Sequence, residues 1–151
     1  MVPVDLTAKS LAGVDLAYEF ATRSETEIIL LHVIETVEYV QFDELKVFYE
    51  RLEHSARKGL KEFSERFVSN NVKVEQALVY GHRTKEIVDY AIENRVDLII
   101  MASHRIDPDR PGHDWSSISY AVAILSPCPA RFSSPSSDSW KACCLRSRPR
   151  P

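Results

Sequence analysis

Apolar residues fall along this chain in two rhythms. Ile28 to Ile34 is a near-continuous apolar run broken only by His32, and Leu98 to Ala102 is another. Such runs are too short for a typical helix. They predict strands covered on both faces, as in a parallel sheet. Val72, Val74, Gln76 and Leu78 put an alternating pattern on one face, which predicts a strand nearer a sheet edge. Val2-Pro3-Val4-Asp5 reads as the end of a strand clipped below the usual length of about five residues. Ala130-Arg131-Phe132 supplies the start of a short last strand.

The second rhythm is helical. Leu11, Val14, Ala17 and Ala21 follow an N-cap position at Thr7. Phe42 to Val68 predicts the longest helix, with Leu45, Phe48, Leu52, Ala56, Leu60, Phe63 and Phe67 as its buried stripe. Glu53/Arg57, Lys58/Glu62 and Glu62/Arg66 place opposite charges four residues apart on its outer side, and Asn70-Asn71 ends it. Gly81 turns the chain into a helix over 84–93, with Ile87, Val88, Ala91 and Ile92 inward and Asn94 as a left-handed stop. After a polar loop over 104–114, Asp114 is a candidate cap for a short helix carrying Ile118, Val122 and Leu125. Pro127 and Pro129 close it. Strand and helix thus alternate throughout. That order predicts an α/β fold: an open parallel sheet with helices on both faces, joined by right-handed crossovers.

Length and composition narrow the class further. At 151 residues, with 44% apolar and 27% charged residues, the chain is expected to form one domain with its own core. No apolar run approaches the roughly 18 residues of a membrane span, no signal peptide is expected, and a membrane partner is not expected. Three Cys, two of them adjacent at Cys143 and Cys144, form no disulfide framework, so a reduced, cytoplasmic setting is expected. The net charge of −3 is unevenly spread. Arg131 to Pro151 holds four Arg, one Lys and one Asp, a balance of +4, which leaves −7 on the preceding 130 residues. An acidic body argues against nucleic-acid binding. The same closing stretch has six Ser, three Pro and no apolar periodicity. The expected division is an α/β domain over 1–133 and a Ser/Arg/Pro-rich disordered tail over 134–151.

In an open parallel sheet, ligands bind beyond the carboxyl ends of the strands, where the strand order reverses. Asp5 and Ser103-His104 compete for that place. Asp5 suits a ribose hydroxyl or a metal, although spacing alone favours a turn or helix cap. His104, Asp107, Asp109, His113 and Asp114 offer metal-ligand chemistry without a fixed ligand spacing, so a solvated loop and no metal are expected. There is no G-x-S-x-G elbow, and Cys128 lacks a positioned base, so no catalytic residue is assigned. His32, inside an apolar strand, reads as a packed core residue.

Four segments, taken in order and spacing, resemble the universal stress protein family. They are Val2-Pro3-Val4-Asp5, Leu30-Leu31-His32-Val33, Asp97 through Arg105, and Ser126-Pro127-Cys128-Pro129. The resemblance spans residues 2 to 129. It implies a Rossmann-like five-stranded parallel sheet in the order 3-2-1-4-5 and a small cytoplasmic protein that usually forms homodimers. In the ATP-binding branch, an Asp closes the first strand and a Val of the second holds adenine through its backbone. A G-x2-G-x9-G-[ST] loop then cradles the phosphates. Asp5 and Val33 match the first two positions. The glycine positions fall on Ala102, Arg105 and Trp115, and the hydroxyl position on Ser116. Glycine serves such loops because peptide N–H groups approach the phosphate with no Cβ in the way, so the cradle is degenerate here.

The resemblance therefore implies a stress-response regulatory protein, not an enzyme. It would bind an adenosine-type nucleotide, ATP or AMP, through Asp5, Val33, Ala102, Arg105 and Ser116. Two alternatives stay open: an adenine-nucleotide enzyme such as a slow ATPase or nucleotidyl transferase, and a dimerisation module with an empty pocket. Family dimers commonly pair through the final strand, which here is replaced by Ala130-Arg131-Phe132-Ser133-Ser134 before Pro135. A homodimer weaker than the family norm is expected.

Overall fold

The computed structural model describes residues 1–23, 25–36, 46–70, 72–103 and 117–133. The chain runs β1 (Val2–Pro3), α1 (Leu11–Ala21), β2 (Ile28–Glu35), α2 (Lys46–Ser64), β3 (Val74–Gly81), α3 (Arg83–Glu93), β4 (Ile99–Ala102), α4 (Ile118–Leu125) and β5 (Ala130–Ser133). Every strand pairing is parallel: β1 with β2, β2 with β3 and β4 with β5. The regular ladder breaks between β1 and β4, giving one piece in the order β1-β2-β3 and another of β4 and β5. Met1 bridges the break. Its nitrogen donates to Leu98 O at 2.8 Å, and its carbonyl accepts from Ile100 N at 2.9 Å. The five strands thus follow the order 3-2-1-4-5 of a doubly wound α/β fold.

Residue alternation explains why the inner strands are apolar throughout. Leu30 and Ile100 point into one core layer with Val14, Ala17 and Ala21 of α1 and Leu60 of α2. Their neighbours Leu31, Ile99 and Met101 point into the opposite layer with Ile87 and Ala91 of α3 and Val122 of α4. A strand whose two faces are both covered has no polar positions to spare. β3, paired only with β2 among the described residues, is more mixed and buries Ala77 alone.

The helices depart from expectation at their ends. Within α2, Phe48 and Leu52 are exposed, and Tyr49 takes the buried place in a layer with Ile34 and Ala56. α-Helical geometry ends at Ser64 and tightens into a 3-10 stretch, Glu65–Asn70. Residues 42–45, assigned to this helix from sequence, lie outside the described residues. Arg66 pairs with Asp15 of α1 rather than with Glu62, because the bend carries it off the α2 surface toward the neighbouring helix. Ile92 and Leu125 are exposed, their helices burying the narrower stripes Ile87/Ala91 and Val122. Asn94 is not left-handed. Its side-chain amide donates to Tyr90 O at 3.0 Å, and Arg95, at φ 49°, makes the left-handed turn one residue later. The cap of α4 is Ser117, whose Oγ accepts from Tyr120 N at 3.2 Å; Asp114 lies outside the described residues. β5 continues as far as Ser133, where Ser103 N donates to Ser133 O at 2.8 Å.

Candidate functional site

β1 is short, and its end defines the site. Val4 N donates to Leu31 O at 2.8 Å, after which the chain turns away through Leu6 at φ 60°. That left-handed turn is costly for a bulky residue. Leu6 is held there by packing against Gly59 of α2 and in two layers of the core. The turn leaves Asp5 at the carboxyl end of the sheet and leaves the β1 side of β2 uncovered beyond Leu31.

Asp5 is fixed by its own turn. Oδ1 accepts from Thr7 N at 2.9 Å, from Thr7 Oγ1 at 2.7 Å and from the buried Ser10 Oγ at 2.5 Å. Ser10 Oγ in return accepts from Asp5 N at 2.9 Å. Burial works to raise the Asp5 pKa. The hydrogen bonds from Ser10 and Thr7 together outweigh it and hold the carboxyl below the ordinary aspartate value. No donor among the described residues reaches Oδ2. One oxygen therefore makes the turn, and the other has no donor among the described residues.

The parallel ladder orients Val33. In a strand, the N–H and C=O of one residue point to the same side in a parallel pairing, and alternate residues share a side. Leu31 faces β1, since its carbonyl accepts from Val4 N. Val33, two residues on, faces the same side, where β1 has already ended. Val33 lines a cavity of about 420 Å³ together with Asp5, Ala102, Pro3, Ile87 and Met101. A second recess of about 500 Å³ lies between β2 and α2 and shares Asp5, His32, Val33 and Arg83 with the first.

Of the residues assigned from sequence, Asp5, Val33 and Ala102 line the one cavity, whereas Arg105 and Ser116 lie outside the described residues. The tertiary structure adds residues that sequence reasoning missed. His32 is half-buried rather than packed in the core. Its Nδ1 donates to Val4 O at 2.8 Å, and the ring lines the cavity. Lys9 and Arg83 bring cations to the wall, and Arg83 Nη2 lies 3.2 Å from Glu35 Oε2. Ser119, in the first turn of α4, also lines the cavity. Lys9 was legible as a neighbour of Asp5; Arg83, at the start of a distant helix, carried no local signal. No cluster of three metal-ligating side chains occurs among the described residues.

The model of the universal stress protein family matches residues 1–130. The chain belongs to the universal stress protein family. Among solved structures it is similar to the universal stress protein UspA from Lactobacillus plantarum. The two are 20% identical, with 87% of this chain and 95% of that one covered and a TM-score of 0.74. It is also similar to a universal stress protein in complex with cAMP (21% identity, 87% of this chain and 92% of that, TM-score 0.68). A family protein from Arabidopsis thaliana with AMP bound is 16% identical, over 91% of this chain and 93% of that, with a TM-score of 0.65. At these identities the likeness is one of fold. No curated protein matches the sequence. Among the described residues, no helix is long and apolar enough to cross a membrane.

Proposed function

We propose that this universal stress protein binds an adenosine-type nucleotide, AMP or ATP, in the cavity at the carboxyl ends of β1, β2 and β4, and regulates by binding rather than by catalysis. The observation that carries this reading is a pairing: an Asp5 oxygen with no described donor borders the same cavity as the uncovered peptide edge of Val33. Ribose hydroxyls donate, and ionised Asp5 accepts. The adenine edge offers a donor and an acceptor side by side, and a peptide edge offers the complementary two. Pro3, Ile87 and Met101 give a flat base apolar walls. That proteins of the same fold hold cAMP or AMP supports the assignment. On the sequence match, the Ala102 backbone, Arg105 and Ser116 are assigned to the phosphate end.

A cytoplasmic location and a homodimer weaker than the family norm, paired through β5, belong to the same reading. So does a folding unit that ends at Ser133. Isothermal titration with ATP, ADP and AMP, with a parallel assay for phosphate release, tests it. Binding without turnover is expected. Absence of binding leaves the module with an empty pocket, and turnover leaves the enzyme.

A further inference from the structure

We propose that Lys9 is a phosphate ligand of this cavity, so that the site selects a nucleoside phosphate by a side-chain charge. The inference rests on the nucleotide reading above and names the group that grips the anion. Among the described residues, three acidic or basic side chains line the cavity: Asp5, Lys9 and Arg83. Arg83 is already committed to Glu35. Asp5 Oδ1 is saturated by Ser10 and Thr7. The Lys9 ammonium has no carboxylate within ion-pair distance among the described residues and, unlike the other lysines, lines the cavity.

Lys9 is also held in place by its backbone. It sits in the single 3-10 turn Ala8–Ser10 that follows Asp5, and its peptide N–H donates to Thr7 Oγ1 at 3.3 Å. The Asp5–Ser10 bonds close that turn from both ends. A carboxylate that accepts hydroxyls and an ammonium that needs an anion therefore rise from one braced segment of six residues. A ligand that answers both carries a diol and an anionic group on the same small scaffold, which describes a nucleoside phosphate. Neutral nucleosides answer only the first. Lysine presents a compact point charge with three donors, suited to a phosphate that is not clamped in one orientation.

Isothermal titration of the full chain with adenosine and with AMP, at low and high salt, tests the proposal alongside Lys9→Gln and Lys9→Arg. The parent is expected to bind AMP about tenfold more tightly than adenosine, the strength of one exposed charge-assisted hydrogen bond, and this gap should shrink with salt. Lys9→Gln should remove most of the gap and leave adenosine affinity unchanged; Lys9→Arg should restore most of it. The Lys9 side chain makes no hydrogen bond within the turn, so Lys9→Gln removes nothing that holds it. If Lys9→Gln binds AMP as the parent does, or weakens adenosine and AMP equally, the proposal is overturned while the nucleotide reading stands. An AMP affinity of the parent that ignores salt overturns it without any variant. If the parent binds neither compound, the nucleotide reading falls and takes this inference with it.

Discussion

The two oxygens of the Asp5 carboxylate have different partners, and that difference separates two effects of one substitution. Asp5→Ala removes the acceptor for ribose and should weaken AMP binding by about 1.5–3 kcal/mol, measured by titration calorimetry. It also removes the acceptor that ties Thr7 and Ser10, so the turn loosens even without ligand. Asp5→Asn keeps the shape of the turn and isolates the charge. Because hydrogen bonds hold the folded carboxyl below its ordinary value, the unfolded chain binds the proton more tightly. The resulting stability is fully present above the unfolded value, about pH 4, and is lost as pH falls through the lower folded value. Urea melts across that acidic range should therefore show a shallower pH dependence for Asp5→Asn than for the parent. Identical acid limbs would contradict this assignment.

At the scale of elements, two glycines that look alike in sequence have opposite surroundings. On α1, a Cβ at Gly13 would meet the Ala102 peptide nitrogen at 3.0 Å, and this backbone belongs to β4 at the cavity wall. A strand in the middle of a packed sheet yields poorly, so Gly13→Ala should cost about 1–3 kcal/mol despite alanine's helix preference. A lowered urea midpoint with unchanged slope is the expected sign. On α2, a Cβ at Gly59 would press the two Leu6 methyls at 3.3 Å and touch Leu6 Cβ at an ordinary 3.5 Å. Those methyls can shift by a few tenths of an ångström. Gly59→Ala should then stabilise by up to about 1 kcal/mol, through the lower backbone entropy that alanine surrenders. Equal destabilisation by both variants would mean that Leu6 is as rigid as a strand.

For the whole molecule, the contrast lies between a core covered on both sheet faces and a thin last edge. β5 presents Ala130, Arg131, Phe132 and Ser133, with the Arg131 guanidinium 5.5 Å from the Phe20 ring centre and Phe132 still 39% exposed. Main-chain hydrogen bonds along such an edge can join two copies, but these side chains add little apolar area. Light scattering over a dilution series is expected to show a dimer that dissociates readily. Deleting residues 134–151 should leave the thermal midpoint of the monomer unchanged, since β5 already ends at Ser133. A truncated chain that melts markedly lower would show that the folding unit extends past this strand.

Hydrophobic rhythm alone determined the element order, the parallel sheet and the two fully covered inner strands, because a strand buried on both faces leaves no room for polar alternation. It also marked Asp5, since a carboxylate at the end of a strand stands out against an apolar run. Helix faces were legible only to within a residue or so. Phe48 and Tyr49 are adjacent and both aromatic, and only the position of α2 over β2 decides which one is buried. Arg66 chooses Asp15 over Glu62 for the same reason: the partner is brought by a neighbouring helix. The site was half legible. Asp5 and Lys9 share one turn, but His32 and Arg83 reach its wall from strands and helices far along the chain, and periodicity records which side a residue faces, not which distant residue meets it there. Nor does it record that β1 ends two residues short of Val33, which leaves that peptide edge open. Only the tertiary structure decides this, because a main-chain donor or acceptor is available wherever the neighbouring strand has turned away.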